Sequence, residues 1–384
     1  MFRQVIESSY YTSLAKQAKR ATSTRQLLSS TSVGLTALAL VLGINKTVIA
    51  FSVHPCHRIQ SRYISSNLRV TKSIVVDGFD IDVSKLPRLF IGKAERKRRI
   101  SPAEGLIKAF QNDIAITSML KPEIPIPLSE EQSHYLTTVL RLGKKSKAVP
   151  YVRLFDESGE EWLAKLLLPQ SKRPKNELLS AMCVEQLRTQ PSVSSRQCWL
   201  IVAPTKKKDR LRWLVEKCTE LNVTGFVLLD TDLSETPSLS MEKIQAYAIE
   251  AAEQSERSTV PNFVVLNERQ DDDSTSLDVF LDAWGVDTNQ ISLAICRERS
   301  NEAVPMMSYL TSKQDQSIVG FVVGPEGGWS PRERDLFDSI ICQKSSLMQS
   351  VSLGSTILRS ETACMIAVGA FSLLASNSEG SHSD

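Results

Sequence analysis

Two stretches near the C-terminus repeat one arrangement: a short, largely apolar run, a glycine-containing loop, then a helix signal. The first is Ile318 to Val323, followed by Gly324-Pro325-Glu326-Gly327-Gly328-Trp329. The second is Ser346 to Leu353, followed by Gly354-Ser355-Thr356-Ile357-Leu358-Arg359-Ser360-Glu361-Thr362-Ala363. The nearly continuous apolar run before Gly324 suits a parallel strand covered on both faces. Ser330-Pro331-Arg332-Glu333 is a capping box with proline at the first helical position, and it predicts a helix from about Pro331 to Ile340. An Ala-rich, apolar helix is expected over Glu361 to Leu374, starting near Ser360. Strand, glycine loop and helix, twice over, require a parallel α/β sheet, and such sheets bind ligands at the carboxyl ends of their strands. Glycine there serves either a tight turn or the close approach of backbone to a ligand. Two such loops can form two walls of one small-molecule pocket.

The same alternation runs upstream. Strands are expected at Cys198 to Val202, Thr224 to Asp230 and Ile291 to Cys296, with a helix over Glu242 to Arg257. Another helix carries an apolar stripe at Leu211, Leu214, Val215, Cys218 and Leu221, with Asp209 as its expected cap. Lys206, Lys207, Lys208, Arg210 and Arg212 crowd its first turn, where positive charge opposes the helix dipole. They are read either as phosphate contacts or as a solvated run. Asp271 to Ser276 and Gly285 to Gln290 read as loops, and Thr189 to Arg196 as a polar linker. Before the linker, Val149 to Phe155 and Trp162 to Leu168 read as strands joined by the turn Asp156-Glu157-Ser158-Gly159. Ser129 and Gln132 form a capping box for a helix bearing His134. A charged run and a helix are expected between Lys93 and Met119.

The two loops resemble the signature of the SPOUT methyltransferases, and within them the RsmE family. Its pattern is Gly-Pro-Glu-Gly-Gly, then Leu-Gly-x-x-Ile-Leu-Arg-x-Glu-Thr-Ala, and every fixed position is present here. Further family-like stretches are His134-Tyr135-Leu136 with Val139-Leu140-Arg141, Lys217 to Leu221, and Glu250 to Ser255 with Arg257. The resemblance spans roughly Leu86 to Ser376. It implies an α/β fold: a SPOUT trefoil knot with a parallel sheet over 197–376, preceded by a small PUA-like β-barrel over 86–189 that contains an inserted helix. It implies S-adenosyl-L-methionine as cofactor, held by Gly324, Pro325, Glu326, Gly327, Gly328, Leu353, Gly354, Ile357, Leu358 and Arg359. The implied reaction is methylation of uracil N3 in bacterial-type small-subunit rRNA, by a homodimer acting on an assembled or assembling subunit. Arg359 is expected to stabilise charge developing on the uracil oxygens, or else to be a structural partner of Glu326. Glu326 is expected to accept the N3 proton or to hold the base, and Glu361 can simply favour its helix N-terminus. Arg141, Lys206, Lys207, Arg210 and Arg257 are the expected RNA contacts. The alternatives are a SPOUT enzyme of ribose 2′-OH and a non-catalytic RNA-binding member of the fold.

The chain of 384 residues carries a net +3, but residues 1–70 alone carry +8, leaving −5 on the remainder. The folded part must therefore grip RNA through local patches rather than a general field. The first seventy residues are rich in Ser, Thr and Arg and hold one acid, Glu7, which fits an organelle transit peptide. Their apolar run, Val33 to Ile44, is too short to span a bilayer and resembles a signal-peptide core, with Val48-Ile49-Ala50 before Phe51 as a cleavage-like site. A plastid address is expected, with the mitochondrion, or an extension without any address, as the other readings. Residues 377–384 read as a disordered tail, and no membrane association is expected of the mature chain. The cysteines, Cys56, Cys183, Cys198, Cys218, Cys296, Cys342 and Cys364, form no Cys-x-x-Cys pair, so a zinc site or disulfide framework is not expected. His134 is the one histidine outside the leader and tail, which argues against chemistry built on a Ser-His or Cys-His pair.

Overall fold

The structure is a computed structural model that describes residues 73–76, 79–92, 117–142, 150–167, 178–190, 196–205, 207–234, 240–266, 275–284, 291–297, 300 and 302–379. The leader and the bulk of the helix expected between Lys93 and Met119 lie outside them, as does Lys206.

The N-terminal part is built of strands. A small hairpin pairs β1 (Ser73–Val76) with β2 (Phe79–Asp82). A five-stranded sheet follows, in the order β3-β5-β6-β7-β4, from β3 (Arg88–Ile91), β4 (Pro125–Pro127), β5 (Tyr151–Asp156), β6 (Glu161–Leu167) and β7 (Ser180–Arg188). It is antiparallel except for the β3–β5 pair. The expected turn joins β5 to β6: Asp156 accepts hydrogen bonds from the Ser158 amide and hydroxyl, at 3.0 and 2.5 Å. Short helix α1 (Glu130–His134) carries the expected capping box at Ser129 and Gln132.

The C-terminal part is a seven-stranded parallel sheet. Its strands are β8 (Gln197–Val202), β9 (Gly225–Leu228), β10 (Asn262–Val265), β11 (Ile291–Cys296), β12 (Val304–Pro305), β13 (Ile318–Val323) and β14 (Met348–Ser352). Their order in space is β10-β9-β8-β13-β11-β14-β12. Alternation along each central strand divides the core. Cys198, Leu200 and Val202 of β8, with Val319, Phe321 and Val323 of β13, face α2 (Lys208–Glu220), α3 (Met241–Gln254), α5 (Met306–Ser312) and α7 (Ser360–Glu379). Trp199, Ile201 and Val322 face the opposite layer, formed by α4 (Ser276–Trp284) and α6 (Pro331–Gln343). The expected stripe of α2 is on its core side, with Leu211, Leu214, Val215 and Cys218 buried.

Three expectations need correction. Asp209 does not cap α2; Lys207 occupies the cap position, and its side chain makes no capping bond. Ser276 is not in a loop but begins α4. Helix α7 runs to Glu379, into the expected tail.

The two parts meet at a polar seam. Glu161 is fully buried, and its carboxylate takes Arg88 at 3.2 Å and Arg153 at 2.7 Å. Arg88 also donates to the carbonyls of Ala252 (2.8 Å) and Arg257 (2.7 Å), at the carboxyl end of α3, where a cation complements the helix dipole. Arg153 reaches Glu256 at 2.7 Å, and Glu253 accepts the Phe90 amide at 2.9 Å. Burial pushes the Glu253 carboxyl up to about 7. The seam thus joins β3, β5 and β6 to α3 and the turn that follows it.

Candidate active site

Strands β13 and β14 flank β11, so both glycine loops leave the same edge of the sheet with one strand between them. The chain then crosses back. From β14 it passes to α7, which packs on β8 and β13 and against α2.

The first loop is shaped by its glycines. A Cβ on Gly324 would stand 3.0 Å from the Trp329 ring, and one on Gly327 would stand 3.0 Å from the Leu233 carbonyl oxygen. Trp329 is fixed under the loop by a 3.3 Å hydrogen bond from its Nε1 to the Cys296 carbonyl and by its edge-on contact with Phe337. Gly328 closes a turn onto the Pro325 carbonyl (2.9 Å) with φ of +73°, a conformation that costs an L side chain energy. Its Cβ direction is open, with nothing of the described protein within 4 Å. The capping box then starts α6: Ser330 Oγ accepts the Glu333 amide (3.1 Å) and Glu333 accepts the Ser330 amide (2.8 Å).

The second loop is similarly open. Gly354 has φ of +133°, and its Cβ direction also meets nothing within 4 Å. The Ser352 hydroxyl accepts the Gly354 amide at 3.3 Å and donates to the Gly354 carbonyl at 3.2 Å. Leu353 and Leu358 are half-buried against the core, Ile357 is exposed, and Arg359 is exposed at the mouth of α7. Among the described residues Arg359 makes no ion pair.

Arg210 lies between the loops. From the first turn of α2 its Nη1 donates to Glu326 Oε1 of the first loop, and its Nε stands 3.8 Å from Glu361 Oε1 at the start of α7. Glu326 thus has a partner, and it is Arg210 rather than Arg359. Among the expected RNA contacts, Lys207 and Arg141 are exposed, and Arg141 adopts φ of +54° just after the π-helical turn Tyr135–Val139. Arg257 is instead turned inward to the end of α2, donating to the Thr219 carbonyl at 3.2 Å, and burial lowers its pKa to about 10.

Nothing in the sequence points to the loop after β9. The backbone of Leu233 lies against Gly327, and the loop is held there by Asp232. Arg332 of α6 grips Asp232 (2.7 and 3.0 Å) together with Asp278 of α4 (2.9 and 3.2 Å), and its hydrogen bonds hold the Asp232 carboxyl below the usual range. Buried Glu333 accepts the Asp232 amide at 2.8 Å. No glycine or motif marks these acids; only their position beside the carboxyl ends of the strands does.

Comparison with known proteins agrees with this geometry. A family model described as an RNA methyltransferase domain matches residues 193–372. A protein of Rickettsia conorii named ribosomal RNA small subunit methyltransferase E is 31% identical over 269 residues, covering 70% of this chain and 98% of the relative. A Synechocystis protein of the same name is 29% identical, covering 66% of this chain and 74% of the relative. Two solved structures share the fold, each with a TM-score of 0.51 and each covering 76% of this chain. One is a protein of Porphyromonas gingivalis described as a probable rRNA-methyltransferase, 19% identical and covered over 100% of its length. The other is a Legionella pneumophila methyltransferase solved with its cofactor SAM, 18% identical and covered over 98%. The SPOUT-type α/β fold expected from the two loops is met, and the chain belongs to the ribosomal RNA small subunit methyltransferase E (RsmE) family.

Proposed function

We propose that this chain methylates small-subunit ribosomal RNA at uracil N3, with S-adenosylmethionine as donor. The observation that carries the reading is the pair of left-handed glycines, Gly328 and Gly354, at the carboxyl edge of one sheet. Both have open space where a side chain would stand, which is the cradle a close-lying cofactor needs. Gly324, Pro325, Glu326, Gly327 and Gly328 would form one wall, and Leu353, Gly354, Ile357, Leu358 and Arg359 the other. S-adenosylmethionine supplies a methyl group on a sulfonium already activated for in-line displacement. The residues of the chain must orient the uracil, receive or pass on its N3 proton, and stabilise charge that gathers on its carbonyl oxygens. Exposed Arg359 suits the last task, and Glu326 is placed at the loop surface for the proton or for holding the base.

RNA contact is assigned to exposed Lys207, with Lys206 before it in sequence, and to Arg141 of the N-terminal part. The net −5 of the body favours a structured substrate, an assembled or assembling subunit, over naked RNA. A homodimer is proposed, formed through exposed Ile366 and Leu373 on α7; Phe371 of the same helix is buried edge-on against Phe321 and takes no part. The purified chain, dimeric by light scattering, is expected to transfer labelled methyl to N3 of a uridine in small subunits from cells lacking the protein. Label on a ribose would reject the N3 assignment, and no transfer to small-subunit rRNA in any assembly state would reject the reading.

The basic leader supports action on organellar ribosomes, in plastids by preference and otherwise in mitochondria. Residues 1–70 fused to a fluorescent protein should enter one of these organelles; a diffuse cytosolic signal overturns this part.

A further inference from the structure

We infer that Arg210 is a positioning residue that fixes the two glycine loops relative to each other through Glu326 and Glu361. The inference rests on the reading of those loops as the walls of one cofactor cleft. Three observations converge on it. Positive charge at the start of α2 opposes the helix dipole, so a cation there needs a compensating partner. Arg210 has two, one from each loop region, although they lie far apart in sequence. Glu361 supplies the second observation. Its side chain is 5% exposed, and among the described residues Arg210 is the cation within 4 Å of it. The other bond to that carboxylate is from its neighbour, the Ser360 hydroxyl, at 3.4 Å. A carboxylate so enclosed calls for an opposite charge nearby. The third observation is the division of charge. Arg359, the cation of the second loop itself, is exposed and without an ion pair among the described residues.

The geometry needs arginine. One planar guanidinium offers Nε to Glu361 and Nη1 to Glu326, two directions fixed in a single rigid group. An ammonium carries the charge without that fork. Arg210 therefore acts on cofactor affinity through the spacing of the loops, and Arg359 is left for the substrate.

The test is calorimetric titration of the full-length chain with S-adenosylmethionine, alongside thermal melting of each variant. Arg210→Met should weaken binding about tenfold, and Arg210→Lys should recover only part of it. Arg210→Met should add little when combined with Glu326→Gln and Glu361→Gln, because its partners are then already neutral. A merely structural role predicts otherwise: a lower melting temperature with unchanged affinity per folded molecule, and losses that add in the triple variant. Either of those results overturns the inference. Should Arg210→Met fail to fold, the two glutamine variants test the contact from the other side, and unchanged affinity in both overturns it. A wild-type chain that binds no S-adenosylmethionine overturns the cofactor reading itself, and the role of Arg210 with it.

Discussion

Glu161→Ala is expected to destabilise the chain by about 3–5 kcal/mol, the range for removing one member of a buried ion pair. The size follows from what remains. Arg88 and Arg153 have side chains only 4% and 2% exposed, and Glu161 is the carboxylate they share. Without it, Arg88 keeps the carbonyls of Ala252 and Arg257, and Arg153 keeps half-exposed Glu256, but two buried cations stand close together without the carboxylate that both contact. Arg188, whose Nη1 lies 3.6 Å from Glu161, adds a third positive charge. Chemical denaturation of wild type and variant measures the effect. A loss under about 1 kcal/mol would mean that the seam tolerates its own charge, and the account given for it would fail. The damage should reach beyond the N-terminal sheet, since the same arginines hold the end of α3.

Arg359→Ala is expected to lower kcat by about 10²–10³-fold, the cost typical of removing one oxyanion-stabilising group, with a much smaller change in cofactor affinity. In the proposed reaction charge on the uracil oxygens would rise as N3 loses its proton, so the guanidinium would contribute most in the transition state. Because Arg359 is exposed and unpaired among the described residues, stability should stay within about 0.5 kcal/mol of wild type. Single-turnover methyl transfer at saturating cofactor reads the first quantity, and melting reads the second. An unchanged turnover per folded molecule would sink the assignment. A large loss of stability would mean that Arg359 acts on the fold and not on the reaction.

Local signals were the legible ones. The apolar run Ile318–Val323 is a strand of those bounds, and the Ser330/Glu333 box starts α6 where expected, because both depend on nearest neighbours. Helix α4 has no place in the sequence reading, which puts only its first residue, Ser276, in the acidic loop before it. Its start does carry a signal: Asp278 Oδ2 accepts the Thr275 amide at 2.6 Å, the reach-back of a capping box. The partners of Arg210 and the inward turn of Arg257 were illegible for another reason. Both depend on contacts between distant segments, Arg210 with Glu326 and Arg257 with the Thr219 carbonyl, and composition alone cannot tell an arginine aimed at phosphate from one aimed at its own fold. The same holds for Asp232 and Arg332, whose pairing joins α6 to the loop after β9.

If the chain reads RNA as proposed, the seam at Glu161 sets the terms. Buried charge ties β3, β5 and β6 to the end of α3, so moving one sheet against the other would mean breaking the Arg88, Arg153 and Glu253 contacts. An RNA laid along the N-terminal sheet, as the proposed contact at Arg141 implies, would then have to reach the glycine loops by its own curvature. Under the function proposed here, selection of the target would rest on which folded RNA already has that curvature, on the shape of the RNA more than on any closing of the protein.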